Sequence, residues 1–334
     1  MKIAILDDYQ DSTRDLACFK LLHEHDVKVF NNTSRGIGQL AARLAPYDAL
    51  VLIRERTAFS RALLAKLPNL KVISQTGKVS GHIDVAAATE RGIAIVEGIG
   101  SPTAPAELTW ALIMAAQRRI VPYASNLKEG LWQTVSTHPE SNKLGTVLRG
   151  RTLAIWGYGK IGKMIAGYGV AFGMHVLVWG SEASRDAAVA DGHRAAPSRA
   201  AFFEQADVMS LHLRLSDATR GAVTADDLAR MKSDALFVNT SRAELVADGA
   251  LEHALKHGHP GGAALDVFTT EPLAPDSPLL RMPNVLATPH LGYVEKDSYE
   301  LYFTHAFQNL IDFAAGNCKT VLNPAYLDHL RTVP

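Results

Sequence analysis

Long apolar runs are missing from this chain of 334 residues, and so are cysteine clusters and any imbalance of charge. No stretch approaches the ~20 consecutive apolar residues that a bilayer-spanning helix needs, which argues against a membrane partner. The two cysteines, Cys18 and Cys318, stand near opposite ends, and neither belongs to a Cys-x-x-Cys pair. A disulfide framework therefore has nothing to build on, and two reduced thiols in a cytoplasmic protein are the expectation. Lys plus Arg and Asp plus Glu number 34 each. A chain without net charge gives no electrostatic reason to expect nucleic acid or an anionic membrane as partner. The opening segment Met1-Lys2-Ile3-Ala4-Ile5-Leu6-Asp7-Asp8 meets two acids too early for a secretory signal. Low-complexity tracts and short-period repeats are absent as well.

What the chain does have is 47% hydrophobic residues, enough at this length for two cores of ordinary size. They fall in short runs rich in Val, Ile and Leu that alternate with helical stretches. The first series covers residues 2–6, 27–30, 49–53, 71–74 and 93–96. The second covers 152–156, 175–179, 208–213, 235–239, 261–267 and 285–287. Continuous apolar runs of this length read as strands buried on both faces, hence as parallel sheets covered by helices. The fold class is therefore α/β, with two doubly wound parallel-sheet domains joined by right-handed crossovers. Between the two series, residues 107–119 predict an apolar helix that ends in Arg118 and Arg119, a crossover between domains. Residues 130–150 are polar and read as a long loop or arm. Tyr299, Tyr302, Phe303, Ala306, Phe307 and Leu310 recur at helical spacing, which predicts a core-facing stripe.

The run 152–156 leads directly into Gly157-Tyr158-Gly159-Lys160-Ile161-Gly162. A helix is expected to begin near Lys163. A glycine motif between a strand and a helix is the context that dinucleotide binding requires. The first glycine permits a tight turn, the second lets backbone approach a pyrophosphate, and the third lets helix and strand pack closely. The helix start then presents free N–H groups to the anion. After the next strand an acid commonly holds the adenosine ribose. Here the chain reads Trp179-Gly180-Ser181-Glu182, with Arg185 beyond. Glu182 stands late for that role, and Gly180, Ser181 and Arg185 suit a 2′-phosphate equally, so NAD and NADP remain open. His253, His257 and His259 lack further ligands nearby and predict no metal site. Ser241 has no Gly-x-Ser-x-Gly elbow around it, which argues against a hydrolase.

Three later strands each end in a candidate polar residue: Asn239-Thr240-Ser241-Arg242, Asp266 followed by Glu271, and Thr288-Pro289-His290-Leu291-Gly292. Ligands of open α/β sheets bind beyond the carboxyl ends of strands. Taken together in this order, the four motifs resemble the D-isomer-specific 2-hydroxyacid dehydrogenase family, over nearly the whole chain. The resemblance implies a Rossmann cofactor domain inserted into a flavodoxin-like substrate domain. The expected division is residues 1–100 and 289–334 for the substrate domain and 101–288 for the NAD(P)-binding domain. It implies hydride transfer between NAD(P)(H) and a D-2-hydroxy acid/2-oxo acid pair, such as those of D-3-phosphoglycerate, glyoxylate or hydroxypyruvate. His290 is then the general acid in reduction and the base in oxidation. Glu271 pairs with it, since a carboxylate beside an imidazole favours the protonated ring. Arg242 binds the substrate carboxylate, for which a planar guanidinium is suited.

By the same resemblance the backbone N–H groups of Lys78 and Val79 also meet the substrate. Cofactor contacts fall on Gly157, Gly159, Lys160, Ile161, Gly162, His212, Thr240, Ser241, Asp266 and Gly292. A homodimer through the cofactor domain is implied, with residues 107–119 and 130–150 in the contact. Some members of the family are nucleotide-sensing corepressors that bind protein partners, which is the alternative function. The chain departs from the family pattern at Ala243, Arg214 and Lys78. Lys78, Arg54 and Arg56 are candidate receptors for a second anionic group on the substrate; the alternative is an exposed loop lysine for Lys78 and pairing with Glu55 for the two arginines.

Overall fold

The structure, a computed structural model, describes residues 1–34, 36–136, 142, 144–317 and 320–330. Cys318 and part of the expected arm at 130–150 lie outside the described residues. The chain divides into two compact units, Met1–Ser101 with Glu295–Pro334, and Pro102–Val294.

The first unit holds five strands, β1 (Lys2–Ile5), β2 (Asp26–Val29), β3 (Ala49–Leu52), β4 (Val72–Gln75) and β5 (Ala94–Glu97). They are all parallel, in the order β2-β1-β3-β4-β5. This is the flavodoxin-like order. β3 and β4 are buried at every residue, as expected of strands covered on both faces. One face packs Leu50 and Ile73 against Phe59, Leu63 and Leu64. The helix Lys296–Ala314 brings its stripe of Tyr299, Tyr302, Phe303, Ala306, Phe307 and Leu310 into the core, and Ser74 donates a hydrogen bond to the Ala306 carbonyl. The outer edge of β5 is covered by the chain's later residues: Leu322 donates to the Ile95 carbonyl, and the Asn323 amide bridges Ile93 and Ile95. An edge strand covered in this way cannot recruit foreign strands.

The second unit holds seven parallel strands, β6 (Thr152–Trp156), β7 (His175–Trp179), β8 (Arg194–Ala195), β9 (Val208–Leu211), β10 (Leu236–Asn239), β11 (Gly262–Leu265) and β12 (Val285–Ala287). Their order is β12-β11-β10-β9-β6-β7-β8, so the direction of winding reverses between β6 and β9. Ligands of such sheets bind at that reversal, outside the carboxyl ends of the strands. Phe202, Phe203, Met209 and Phe237 fill one face, and Ile155, Ile165, Val178 and Val238 the other.

Two local expectations need correction, and one short strand was not foreseen. The helix expected at 107–119 runs Thr103–Gln117. Pro105 lies in its first turn, where no intrahelical N–H is needed. Arg119 takes a left-handed backbone, φ 52°, and breaks the path, so that a second helix, Ile120–Lys128, follows. The helix expected near Lys163 begins at Lys160. The two-residue strand β8 has no apolar run to announce it.

Candidate functional site

The glycine motif sits at the switch point. Gly157 has φ 101°, and a Cβ there would stand 2.5 Å from the His212 carbonyl oxygen, which closes the first βα loop onto the end of β9. A Cβ on Gly162 would stand 2.1 Å from the Gly157 carbonyl oxygen, so the helix Lys160–Ala171 can start this close to the strand only without a side chain. Gly159 differs: nothing lies within 4 Å of an added Cβ, and no side chain caps the helix that begins after it. Lys160, Ile161 and Gly162 are the first helical residues, so their N–H groups belong to the unsatisfied set that a helix start offers an anion. Open space beside uncapped donors fits a pyrophosphate. Tyr158 turns its hydroxyl to Asp191 Oδ2, 3.0 Å, which also takes the Lys163 ammonium at 2.8 Å. This ties the loop to the far end of the helix Glu182–Ala190. Burial and the Asp191 carboxylate push the Tyr158 phenol up to about 12.

At the end of β7, Ser181 caps the next helix by accepting from the Ser184 N–H. Arg185 folds back, donating to the Gly180 carbonyl at 3.2 Å with its guanidinium 4.9 Å from the centre of the Trp179 ring. Across the switch point, His212 shares a 2.8 Å hydrogen bond with Ser210. Burial holds its imidazole down to about 4, so it is neutral near pH 7.

The ends of β10, β11 and β12 carry the polar constellation. Buried Asn239 accepts from the Ser241 N–H and donates to the Arg242 carbonyl, which fixes the loop that presents Thr240, Ser241 and Arg242. Ser241 donates to the Leu211 carbonyl, 2.8 Å. Thr240 shares a 2.7 Å hydrogen bond with Thr109 of the helix Thr103–Gln117. Arg242 Nη1 donates to the Ser241 carbonyl. Ala243 opens a short 3-10 turn and is not among the residues with positive φ, so it follows Arg242 without backbone strain.

His290 Nδ1 lies 2.7 Å from Glu271 Oε2, and the other oxygen of Glu271 accepts from the Phe268 N–H at 2.9 Å. His290 itself has φ 54°, a conformation that costs energy in a non-glycine residue and persists where its surroundings hold it. Asp266 provides that hold. One of its carboxylate oxygens accepts from the Thr288 hydroxyl and the Leu291 N–H, the other from the Gly292 N–H. Burial outweighs these three hydrogen bonds and lifts the Asp266 carboxyl above the ordinary carboxylate value. The Tyr293 ring meets the imidazole edge-on, with centroids 5.7 Å apart.

In the first unit, the loop after β4 contains Lys78 and Val79. The Val79 N–H, expected to meet a substrate, donates to Glu97 Oε1 at 2.7 Å, and the Lys78 ammonium lies 2.8 Å from Glu97 Oε2. The residues that sequence reasoning missed are Glu97, Thr109 and Asp191. Each acts on a loop distant in sequence, and only a threonine buried in an otherwise apolar helix gave any hint, at Thr109. The His253 and His257 rings lie 4.2 Å apart. Among the described residues no group of three His, Cys, Asp or Glu side chains could hold a metal ion.

Comparison with known proteins follows the same line. Residues 110–292 match the family described as D-isomer specific 2-hydroxyacid dehydrogenase, NAD binding domain. A glyoxylate reductase of Aeropyrum pernix is 38% identical over 257 residues, 76% of either chain. The solved structure of a phosphoglycerate oxidoreductase from Vibrio cholerae is 57% identical, with a TM-score of 0.92 over 95% of this chain and 99% of its own. That of a Ralstonia solanacearum protein, provisionally described as a D-3-phosphoglycerate dehydrogenase, is 59% identical, with a TM-score of 0.95 over 98% of both.

Proposed function

The chain belongs to the D-isomer-specific 2-hydroxyacid dehydrogenase family and is an NAD(P)-dependent oxidoreductase; on that premise we propose that it reduces small 2-oxo acids, with His290, Glu271 and Arg242 as its catalytic residues. The nicotinamide cofactor supplies or accepts the hydride. Glu271 can only accept a hydrogen bond when ionised, so the proton at the shared contact rests on His290 Nδ1. That leaves Nε2 of His290 for the substrate oxygen, where it donates in reduction and accepts in oxidation. The Phe268 N–H holds Glu271, and Glu271 holds the ring, so the proton is delivered from a fixed direction. Arg242 is the proposed partner of the substrate carboxylate. The observation that carries the reading is the 2.7 Å contact between His290 and Glu271 at the end of a nucleotide-binding sheet.

The test is cofactor oxidation with glyoxylate, hydroxypyruvate and 3-phosphohydroxypyruvate. Reduction of none of them by a protein that still binds the cofactor would overturn the reading. The second unit is the proposed cofactor domain and the first the proposed substrate domain, with Lys78 and Val79 in its loop. Arg185 and the Ser181 hydroxyl at the end of β7 support NADP(H) over NAD(H).

A homodimer belongs to the same proposal. In the second unit Ile120, Val121 and Leu127 of the helix Ile120–Lys128 are exposed, as are Trp132 (75%) and Leu144 (87%). Val121 and Leu144 also line a cavity of about 540 Å³, with Pro122 and Leu286 among its other walls. An apolar surface of this kind is covered in a stable assembly, and light scattering at micromolar concentration checks the mass. No helix among the described residues is long and apolar enough to cross a membrane. The proposed setting is the cytoplasm, where a free thiol such as Cys18 persists.

A further inference from the structure

Three cations stand at or just after the carboxyl ends of β3 and β4, and each is already engaged. Arg56 donates to the Asp7 carbonyl and to the Tyr299 hydroxyl, and lies over the Tyr9 ring. Arg54 Nε is 3.8 Å from Glu55, and its guanidinium lies so close over Gly77 that a Cβ there would come within 2.1 Å of Nη1. Lys78 is paired with Glu97.

The Glu97 pair is asymmetric. The Glu97 side chain is 19% exposed, whereas that of Lys78 is 68% exposed. The acid is therefore the fixed member and the lysine comes to it. Two features hold Glu97 in place. Its carboxylate accepts the Val79 N–H, and β5 cannot drift from the loop. Gly98, the next residue, donates to the Gln75 and Gly77 carbonyls, in an approach so close that a Cβ on Gly98 would stand 2.7 Å from the Gly77 nitrogen. One backbone donor and the one ammonium of this loop are thus spent on a carboxylate that the chain itself supplies.

We propose that Glu97 is a specificity-determining residue, which neutralises the loop Gly77–Val79 and restricts this chain to 2-oxo acids that carry no second negative group. The proposal rests on the 2-oxo acid reading above. A phosphorylated acceptor would have to displace Glu97 or sit beside it, and like charges at close range disfavour both. An acceptor with an uncharged substituent brings only its own carboxylate, whose proposed partner is Arg242.

Hydroxypyruvate and 3-phosphohydroxypyruvate differ only in the phosphate, so the ratio of their kcat/KM values isolates it. The wild-type protein is expected to favour hydroxypyruvate. Glu97→Gln retains an acceptor for the Val79 N–H but removes the charge and releases Lys78. It is expected to raise the ratio for the phosphorylated acceptor about tenfold, the size of one charge-assisted hydrogen bond gained. Glu97→Asp, which keeps the charge, leaves the preference for hydroxypyruvate. A wild-type preference for the phosphorylated acceptor overturns the proposal, and needs no variant to fold. An unchanged ratio in a Glu97→Gln protein that still binds cofactor also overturns it. Failure of the wild type to reduce either acid would instead remove the functional reading on which the proposal stands.

Discussion

The loop after β4 in the first unit and the loop after β6 in the second are built from the same parts. Each follows the end of a buried parallel strand, each contains glycines, and each was expected to present backbone N–H groups to an anion. They differ in what fills them. Around Gly159 an added Cβ would meet nothing, and the helix that starts there has no side-chain cap. In the first unit the Val79 N–H and the Lys78 ammonium both rest on Glu97. A loop left open by its own chain can take a charged ligand without first losing a contact. One that is internally paired pays desolvation and displacement before it gains anything. Similar backbone shapes therefore do not imply similar affinity for anions, and the neighbouring side chains decide.

The largest expected effect asks whether the open loop and the chemistry are separable. His290→Ala removes the proton donor but touches no part of the loop 157–162. Loss of a general acid costs ~10²–10⁴-fold in rate. We expect kcat to fall by that range while the cofactor dissociation constant stays within about threefold, set by the precision of a binding assay rather than by a lost contact. A rate near that of the wild type removes His290 from the mechanism. Loss of cofactor binding would show that the two functions are not separable.

The next effect concerns the wall of the open loop. His212, whose carbonyl closes on Gly157, has its imidazole held down to about 4, against an ordinary 6.5. Between these values the unfolded chain takes up a proton that the folded chain refuses. The contribution of this group is therefore full above pH 6.5, is lost as the pH falls toward 4, and changes no further below that. The full span corresponds to about 3 kcal/mol at most. Urea unfolding of the cofactor-free protein at pH 7 and pH 4.5 measures it, against His212→Gln. Equal pH dependence in the two proteins contradicts the buried neutral state.

A smaller effect compares glycines in the two loops directly. Gly162→Ala drives a methyl into the Gly157 carbonyl, whereas Gly81→Ala meets nothing within 4 Å and Gly81 has no positive φ. Overpacking of this kind costs about 1–3 kcal/mol. We expect Gly162→Ala to lower the thermal midpoint and weaken cofactor binding, and Gly81→Ala to change neither. Equal effects would mean that the second loop is less tightly built than its contacts indicate.

How far the sequence carries follows from where each interaction reaches. The long strands were legible because both of their faces are buried, so their apolar runs are local signals. β3 is apolar throughout, whereas β4 ends in buried Ser74 and Gln75, which hydrogen-bond to Ala306 and His82. The glycine motif is equally local as a pattern, six residues directly after a strand, although Gly157 and Tyr158 also meet His212 and Asp191 far along the chain. The break at Arg119 was not legible, because a left-handed arginine between two helical stretches leaves no trace in apolar spacing. β8 is too short to carry a pattern. Glu97 was invisible for another reason: its partners are 18 and 19 residues away, and only the register that sets Gln75 beside Glu97 brings them together. Thr109 meets Thr240 across 131 residues. The family resemblance supplied candidates for Lys78 and Val79 but could not say that this chain's own acid already occupies one of them.

The smallest effect we predict tests the far side of the open loop, where the sequence left the cofactor undecided. Arg185 lies in the first turn of its helix, a poor place for a cation with respect to the helix dipole. It is kept there by the Gly180 carbonyl and the Trp179 ring, and by Ser181, which starts the helix at that point. A guanidinium held at the end of β7, with no acid at Gly180, suits a 2′-phosphate. Arg185→Ala should then weaken NADPH binding about tenfold, as expected for one charge-assisted contact, and leave NADH unchanged. Raising the salt concentration should narrow the difference between wild type and variant, because the contact is partly exposed and is screened. If the variant loses both cofactors equally, Arg185 merely shapes the helix start. If both cofactors bind the variant as they bind the wild type, the ribose is held by another group, and exposed Glu182 at the first helical position becomes the residue to substitute.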